Sequence, residues 1–142
     1  MNIKSILAKK STNIVTIRPD QSIREAIARL AEYNIGALVV VDEASQPVGI
    51  LSERDITRAL AKDEHIFSKL VSDLMTKNVI TGLPQDDLLS VANTMTEKRI
   101  RHLPVVEKGR LVGIVSIGDV VKAQRDQYQG EVDTLQTQIL GE

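Results

Sequence analysis

Two stretches of the chain run through apolar and polar positions in the same order. Behind Ser22-Ile-Arg-Glu25, which has the form of a capping box, Ile23, Ile27 and Leu30 recur at helical spacing. Leu88, Val91, Ala92 and Met95 do the same further on. Each predicted helix is followed by a dense apolar run, at 37–41 and at 103–106. Neither run alternates cleanly, so both are expected to be strands buried on two faces. A polar turn then leads to another strand, at 48–51 and at 111–115, and Ser-x-x-Asp opens a second helix. Ahead of each unit a short strand runs toward a Pro, at 15–17 and at 79–81. The pattern is β-α-β-β-α, twice.

The two copies agree residue by residue. Gly49-Ile-Leu-Ser52-Glu-Arg-Asp55-Ile56 matches Gly113-Ile-Val-Ser116-Ile-Gly-Asp119-Val120 at an offset of 64. Upstream the offset is 65: Ile35-Gly-Ala-Leu-Val-Val-Val41 matches Ile100-Arg-His-Leu-Pro-Val-Val106, and Pro19 matches Pro84. The change falls between the polar segments DEASQ and EKGR, where a turn absorbs a deletion. Half of a 142-residue chain buries too little surface to be comfortably stable alone. The expected architecture is therefore α/β (α+β), with the two repeats packed sheet to sheet about a pseudo-two-fold axis over one shared aliphatic core. The repeats are placed at 12–64 and 77–128, with an N-terminal helix and lead-in at 1–11 and a helical extension at 129–142. Leu70, Val71, Leu74 and Met75 in the linker suggest a short helix leading into copy two. Ile3, Ile6 and Leu7 suggest its counterpart leading into copy one.

Composition narrows the chemistry. Val, Ile, Leu and Ala supply nearly all of the 42 % apolar residues, against two Tyr, one Phe and no Trp. Such a core favours strands and leaves no base-stacking platform. With no Cys there are no disulfides, thiolate nucleophiles or Cys-based metal sites. Two His leave little for a metal centre, so no metal is expected. A net charge of −1 offers nucleic acid no global attraction. No apolar run approaches a membrane span and no export signal is visible, so the default location is the cytoplasm.

The paired motifs resemble a tandem pair of cystathionine-β-synthase (CBS) domains, a Bateman module, of the stand-alone bacterial type. Val15-Thr-Ile-x-Pro19, the 35–41 strand and Gly49-Ile-Leu-Ser-Glu-Arg-Asp55 carry the likeness, together with their partners at 80–84, 100–106 and 113–119. One such mark is weak; two full sets in register are specific. The resemblance implies a regulatory module that binds an adenine nucleotide of the AMP, ATP or NAD(H) class and is not an enzyme.

Residue by residue, the Ser-x-x-Asp motif is first of all a helix cap, with an Asp that suits the helix dipole. A strand ending at a helix N-terminus is equally a place for an anion or a ribose. The resemblance implies that Asp55 and Asp119 hold ribose hydroxyls, with Ser52 and Ser116 on ribose or phosphate. It places adenine against Thr16, Ile35 and Ala37, or against Thr81, Ile100 and His102. Copy two carries Lys98, Arg99, Arg101 and His102 where copy one has Tyr33, Asn34, Gly36 and Ala37. Copy one carries Arg54 where copy two has Gly118. Cations at a helix end account for Lys98 and Arg99; phosphate binding accounts better for Arg101, His102 and Arg54. The two clefts are accordingly expected to differ. Gly49 and Gly113 either ease close packing or let a ligand approach the backbone. No nucleophile or paired carboxylate accompanies His102, and no Gly-x-Gly-x-x-Gly turn is present, which disfavours an enzyme using a nicotinamide cofactor.

Tyr128, Val132, Leu135 and Ile139 form a helical stripe. It suggests a homodimer, and a regulated protein partner is also expected. The alternative to nucleotide sensing is a structural dimerisation module with vestigial clefts.

Overall fold

The computed structural model describes residues 1–10 and 14–140, without the side chains of 131–140. In chain order the elements are α1 (Ile3–Lys9), β1 (Thr16–Ile17), α2 (Ile23–Tyr33), β2 (Ala37–Val41), β3 (Pro47–Ser52) and α3 (Glu53–Lys62). There follow α4 (Val71–Leu74), α5 (Leu88–Lys98), β4 (His102–Glu107), β5 (Arg110–Ser116) and α6 (Ile117–Leu140). Two small open sheets result: β1-β2-β3, with β1 parallel and β3 antiparallel to β2, and the antiparallel pair β4-β5. The α/β repeat architecture is the expected one. Val132, Leu135 and Ile139 of the predicted stripe lie outside the described side chains.

Local chemistry accounts for the boundaries. Ser22 caps α2 by accepting from the Glu25 N–H at 3.2 Å. The predicted box is only half made, because the Glu25 carboxylate takes the Gln21 side-chain amide at 2.6 Å instead. Asp87 caps α5 through the N–H groups of Leu89 and Ser90. Both helices stop at a left-handed residue, Asn34 (φ 52°) and Arg99 (φ 55°). Asn tolerates that conformation; Arg carries a Cβ penalty there. Val41 pairs with Pro47 and Val106 with Leu111, so the missing residue does fall in the turn. In copy two the turn is Lys108-Gly109, both at positive φ, as a two-residue hairpin of the primed type requires.

Three expectations change. First, the strand at 79–81 does not form. Its pairing shrinks to one parallel bridge, Gly82 to Val105, with Gly82 N–H donating to Pro104 O and Val106 N–H to Gly82 O, each at 2.9 Å. The next bond would run from residue 104 to residue 80, and Pro104 has no N–H to give. Second, the buried aliphatic residues form two clusters and not one. Ile17, Ile23, Leu38, Val40, Leu51 and Ile56 centre the first; Leu88, Val91, Met95, Leu103, Val105 and Val115 centre the second. Each small sheet is covered by a separate set of helices, so the two copies do not share a single core.

Third, the lead-in helices are exchanged. α1 precedes copy one but buries Ile3 and Ile6 in the second cluster, with Ile3 N–H on Asp86 O and Lys4 N–H on Pro84 O. α4 precedes copy two but buries Val71 in the first cluster, and Thr76 exchanges both backbone bonds with Ile50 of β3. The glycines make room for this. A Cβ on Gly49 would stand 2.5 Å from Met75 Sδ, and one on Gly113 would stand 2.5 Å from Leu7 Cδ2. Close packing thus explains both.

Candidate functional site

Two clefts open between the copies, and they are counterparts under the repeat. Each takes the end of the third strand and the Ser of the Ser-x-x-Asp motif from one copy, and only cleft one is also lined by the Asp. From the other copy each takes the segment before the first helix and the start of the following strand. Cleft one has a volume of about 460 Å³ and is lined by Ile50, Ser52 to Asp55 and Arg58 of copy one, with Val79, Ile80 and Lys98 to His102 of copy two. Cleft two, about 500 Å³, is lined by Val112 to Ile114 and Ser116 of copy two, with Ile14, Val15, Tyr33 and Ile35 to Ala37 of copy one. Both volumes suit a small-molecule ligand. Gly36 and His102 border both clefts, and a Cβ on Gly36 would stand 3.6 Å from His102 Nε2.

The walls are chemically unlike. Cleft one gathers Arg54, Arg58, Lys98, Arg99 and Arg101 against the carboxylates Glu53 and Asp55. These five cations are exposed, so they attract an anion through a field that salt screens. Cleft two is mostly aliphatic, with Lys10 as its one cation among the described lining residues.

Asp55 completes the capping box of α3. Its Oδ2 accepts from Ser52 N–H at 2.9 Å and from Ser52 Oγ at 3.0 Å, and Asp55 N–H returns a bond to Ser52 Oγ at 3.2 Å. Every one of these bonds to the carboxylate falls on Oδ2. Asp119 makes the same cap with Ser116, but its Oδ2 also takes the Lys10 ammonium at 2.7 Å. Burial pushes the Asp119 carboxyl up; Lys10 and the Ser116 N–H together outweigh it and hold it below the usual carboxylate range. His102 is held below its ordinary value, first by burial and then by Lys10 and Arg101, against opposing pulls from Asp119 and Glu53.

The predicted residues divide accordingly. Ser52, Arg54, Asp55, Ile100, Arg101 and His102 come together in cleft one, although Asp55 and His102 belong to different copies. Ile35, Ala37 and Ser116 come together in cleft two. Asp119 lines a smaller hollow between α1 and α6. Thr16 lines a separate hollow beside the two hairpin turns, and Thr81 lines neither cleft. Thr16 and Thr81 each stand one residue beyond the last cleft-lining residue of their segment, Val15 and Ile80. Sequence reasoning missed Arg58 and Lys10. Arg58 stands one helical turn beyond Arg54 and shares its face. Lys10 is 109 residues from Asp119, and no periodicity links them.

Comparison with known proteins agrees with the repeat architecture. The CBS domain family model matches residues 3–62 and 71–126. The chain is 42 % identical to the CBS-domain containing protein ATU1752 from Agrobacterium tumefaciens, whose crystal structure superposes with a TM-score of 0.83 over 87 % of this chain and 99 % of that one. It is 34 % identical to the CBS domain pair of protein MJ0100, solved in complex with 5′-methylthioadenosine and S-adenosyl-L-methionine (TM-score 0.79; 89 % of this chain, 98 % of that one). It is 36 % identical over 127 residues to the mitochondrial CBS domain-containing protein CBSX3 of Arabidopsis thaliana, matching 86 % of this chain. It spans 62 % of the length of that relative.

Proposed function

The chain belongs to the CBS-domain family and carries two copies in tandem; on that premise we propose that it is a regulatory module binding a phosphate-bearing adenosyl ligand, of the AMP, ATP or NAD(H) class, in cleft one. The observation that carries this is the meeting of a capped carboxylate with five cations around one cavity of about 460 Å³. The adenosyl ligands held by the MJ0100 pair support the adenosyl part; the basic wall supports the phosphate.

In this reading the base lies against Ile80 and Ile100 and meets the backbone near Ile100 to His102. The ribose donates to Asp55 beside Ser52, and the phosphates face Arg54, Arg101 and His102. Binding without turnover is proposed. The ligand acts by preferring one arrangement of the copies over another, which a protein partner reads. A homodimer and a cytoplasmic setting belong to the same proposal. Among the described residues no helix is long and apolar enough to cross a membrane.

Titration calorimetry with AMP, ATP, NADH, S-adenosylmethionine and 5′-methylthioadenosine tests it. Binding of the phosphate-bearing ligands ahead of the other two is expected. Silence from all five up to millimolar concentrations sinks it and leaves the dimerisation module.

A further inference from the structure

The two clefts differ at a position that no repeat pattern marks. Leu7 packs on Gly113 as Met75 packs on Gly49, so these two residues are structural counterparts. Three residues further on, one copy has Lys10 and the other Asn78. Asn78 lines cleft one as a neutral amide. Lys10 lines cleft two and is held from three sides: Nζ donates to Asp119 Oδ2 at 2.7 Å and to Ile114 O at 2.9 Å, while α1 is anchored on copy two by buried Ile3 and Ile6.

The consequence is chemical. Asp119 Oδ2 already accepts the Ser116 N–H and the Lys10 ammonium. A ligand hydroxyl seeking that oxygen competes with a charge-assisted bond, roughly twice as strong as a neutral one. Asp55, by contrast, is bonded only within its own cap among the described residues. Cleft two also lacks the arginines that make cleft one basic: Arg54 has Gly118 as its counterpart, and Arg101 has Gly36.

We infer that Lys10 is a built-in occupant of cleft two that restricts the chain to one equivalent of phosphate-bearing adenosyl ligand, bound in cleft one. The inference rests on the proposed reading of cleft one as the nucleotide site. It makes Lys10 a specificity-determining residue that acts by holding Asp119, the counterpart of Asp55, in the hollow between α1 and α6 and out of the lining of the second cleft.

The test is stoichiometry by calorimetry with AMP. Wild type is expected to bind one equivalent, and Asp55→Asn to bind it tenfold or more weakly. Lys10→Met keeps the apolar stem and removes the ammonium, and is expected to bind a second equivalent more weakly than the first, because cleft two still lacks the arginines of cleft one. Adding Asp119→Asn to Lys10→Met returns the count to one. Lys10→Gln, which keeps a neutral donor, guards against a folding defect in Lys10→Met and is also expected to show a second, weaker equivalent. Two equivalents in wild type, or a single equivalent in both Lys10 variants, overturns the inference while leaving cleft one as the nucleotide site. Wild type silent toward AMP and ATP overturns that site and the inference together.

Discussion

At the residue scale, His102 links the two clefts. Its folded-state pKa lies below the ordinary value of 6.5, so between the two values the unfolded chain binds more protons than the folded one. Stability is therefore greatest above about pH 6.5 and falls as pH drops through that value. His102→Gln is expected to flatten this limb of the stability–pH curve, read by urea melts at several pH values. A phosphate in cleft one reverses the balance, since an anion favours the imidazolium. Ligand binding is then expected to take up a proton near pH 6, visible in calorimetry as a dependence on the buffer's ionisation enthalpy. The Asp55 carboxylate, proposed to hold the ribose, gives a second prediction. Hydrogen bonds to a charged acceptor are worth about 1.5–3 kcal/mol, so Asp55→Asn is expected to weaken AMP by tenfold or more.

At the element scale, the exchange of α1 and α4 sets which part of the chain stabilises which. Ile3 is fully buried in the second core, yet it stands ahead of copy one. Ile3→Ala is expected to cost about 2–5 kcal/mol. The loss should appear as faster amide exchange in β4 and β5, with β2 affected only through global unfolding. Were the first sheet to lose local protection instead, the assignment of α1 to copy two fails. The strand glycines belong to the same scale. Gly113→Ala meets only the end of a Leu side chain, whereas Gly49→Ala also meets the Thr76 carbonyl at 3.1 Å. Overpacking of this kind costs about 1–3 kcal/mol, and Gly49→Ala is expected to cost more, measured as the drop in melting temperature.

At the scale of the whole molecule, the charge of −1 says nothing about cleft one, where five lining cations face two carboxylates. These side chains are exposed and come from both copies, so their attraction for phosphate is expected to weaken with salt. Raising sodium chloride from 50 to about 500 mM should reduce AMP affinity several-fold and leave adenosine affinity nearly unchanged. An equal loss for both ligands contradicts a phosphate role for this wall. The scarcity of aromatic residues acquires its meaning here too. Ile80 and Ile100 line one cleft without an aromatic residue beside them, and Ile14, Val15 and Ile35 line the other together with Tyr33, the one aromatic ring at either cleft among the described residues.

Much of the architecture was legible along the chain because it is local and repeated. Apolar spacing defines α2 and α5, Ser52 and Asp55 announce a cap, and the offset from 65 to 64 points to a turn. Each depends on residues a few positions apart, and the second copy checks the first. The strand at 79–81 misled because its partner, Pro104, lies elsewhere in the sequence, and a ladder needs donors on both sides. The exchange of lead-in helices, the separation of the cores and the joining of Asp55 to His102 across the copies were decided only by the tertiary structure. So was the bond from Lys10 to Asp119. Such contacts depend on which surfaces can cover one another in space, and no periodicity records that. The sequence by itself determined the repeat unit and the candidate residues of its paired motifs. Packing determined which of them share a cleft, and which carboxylate is already taken.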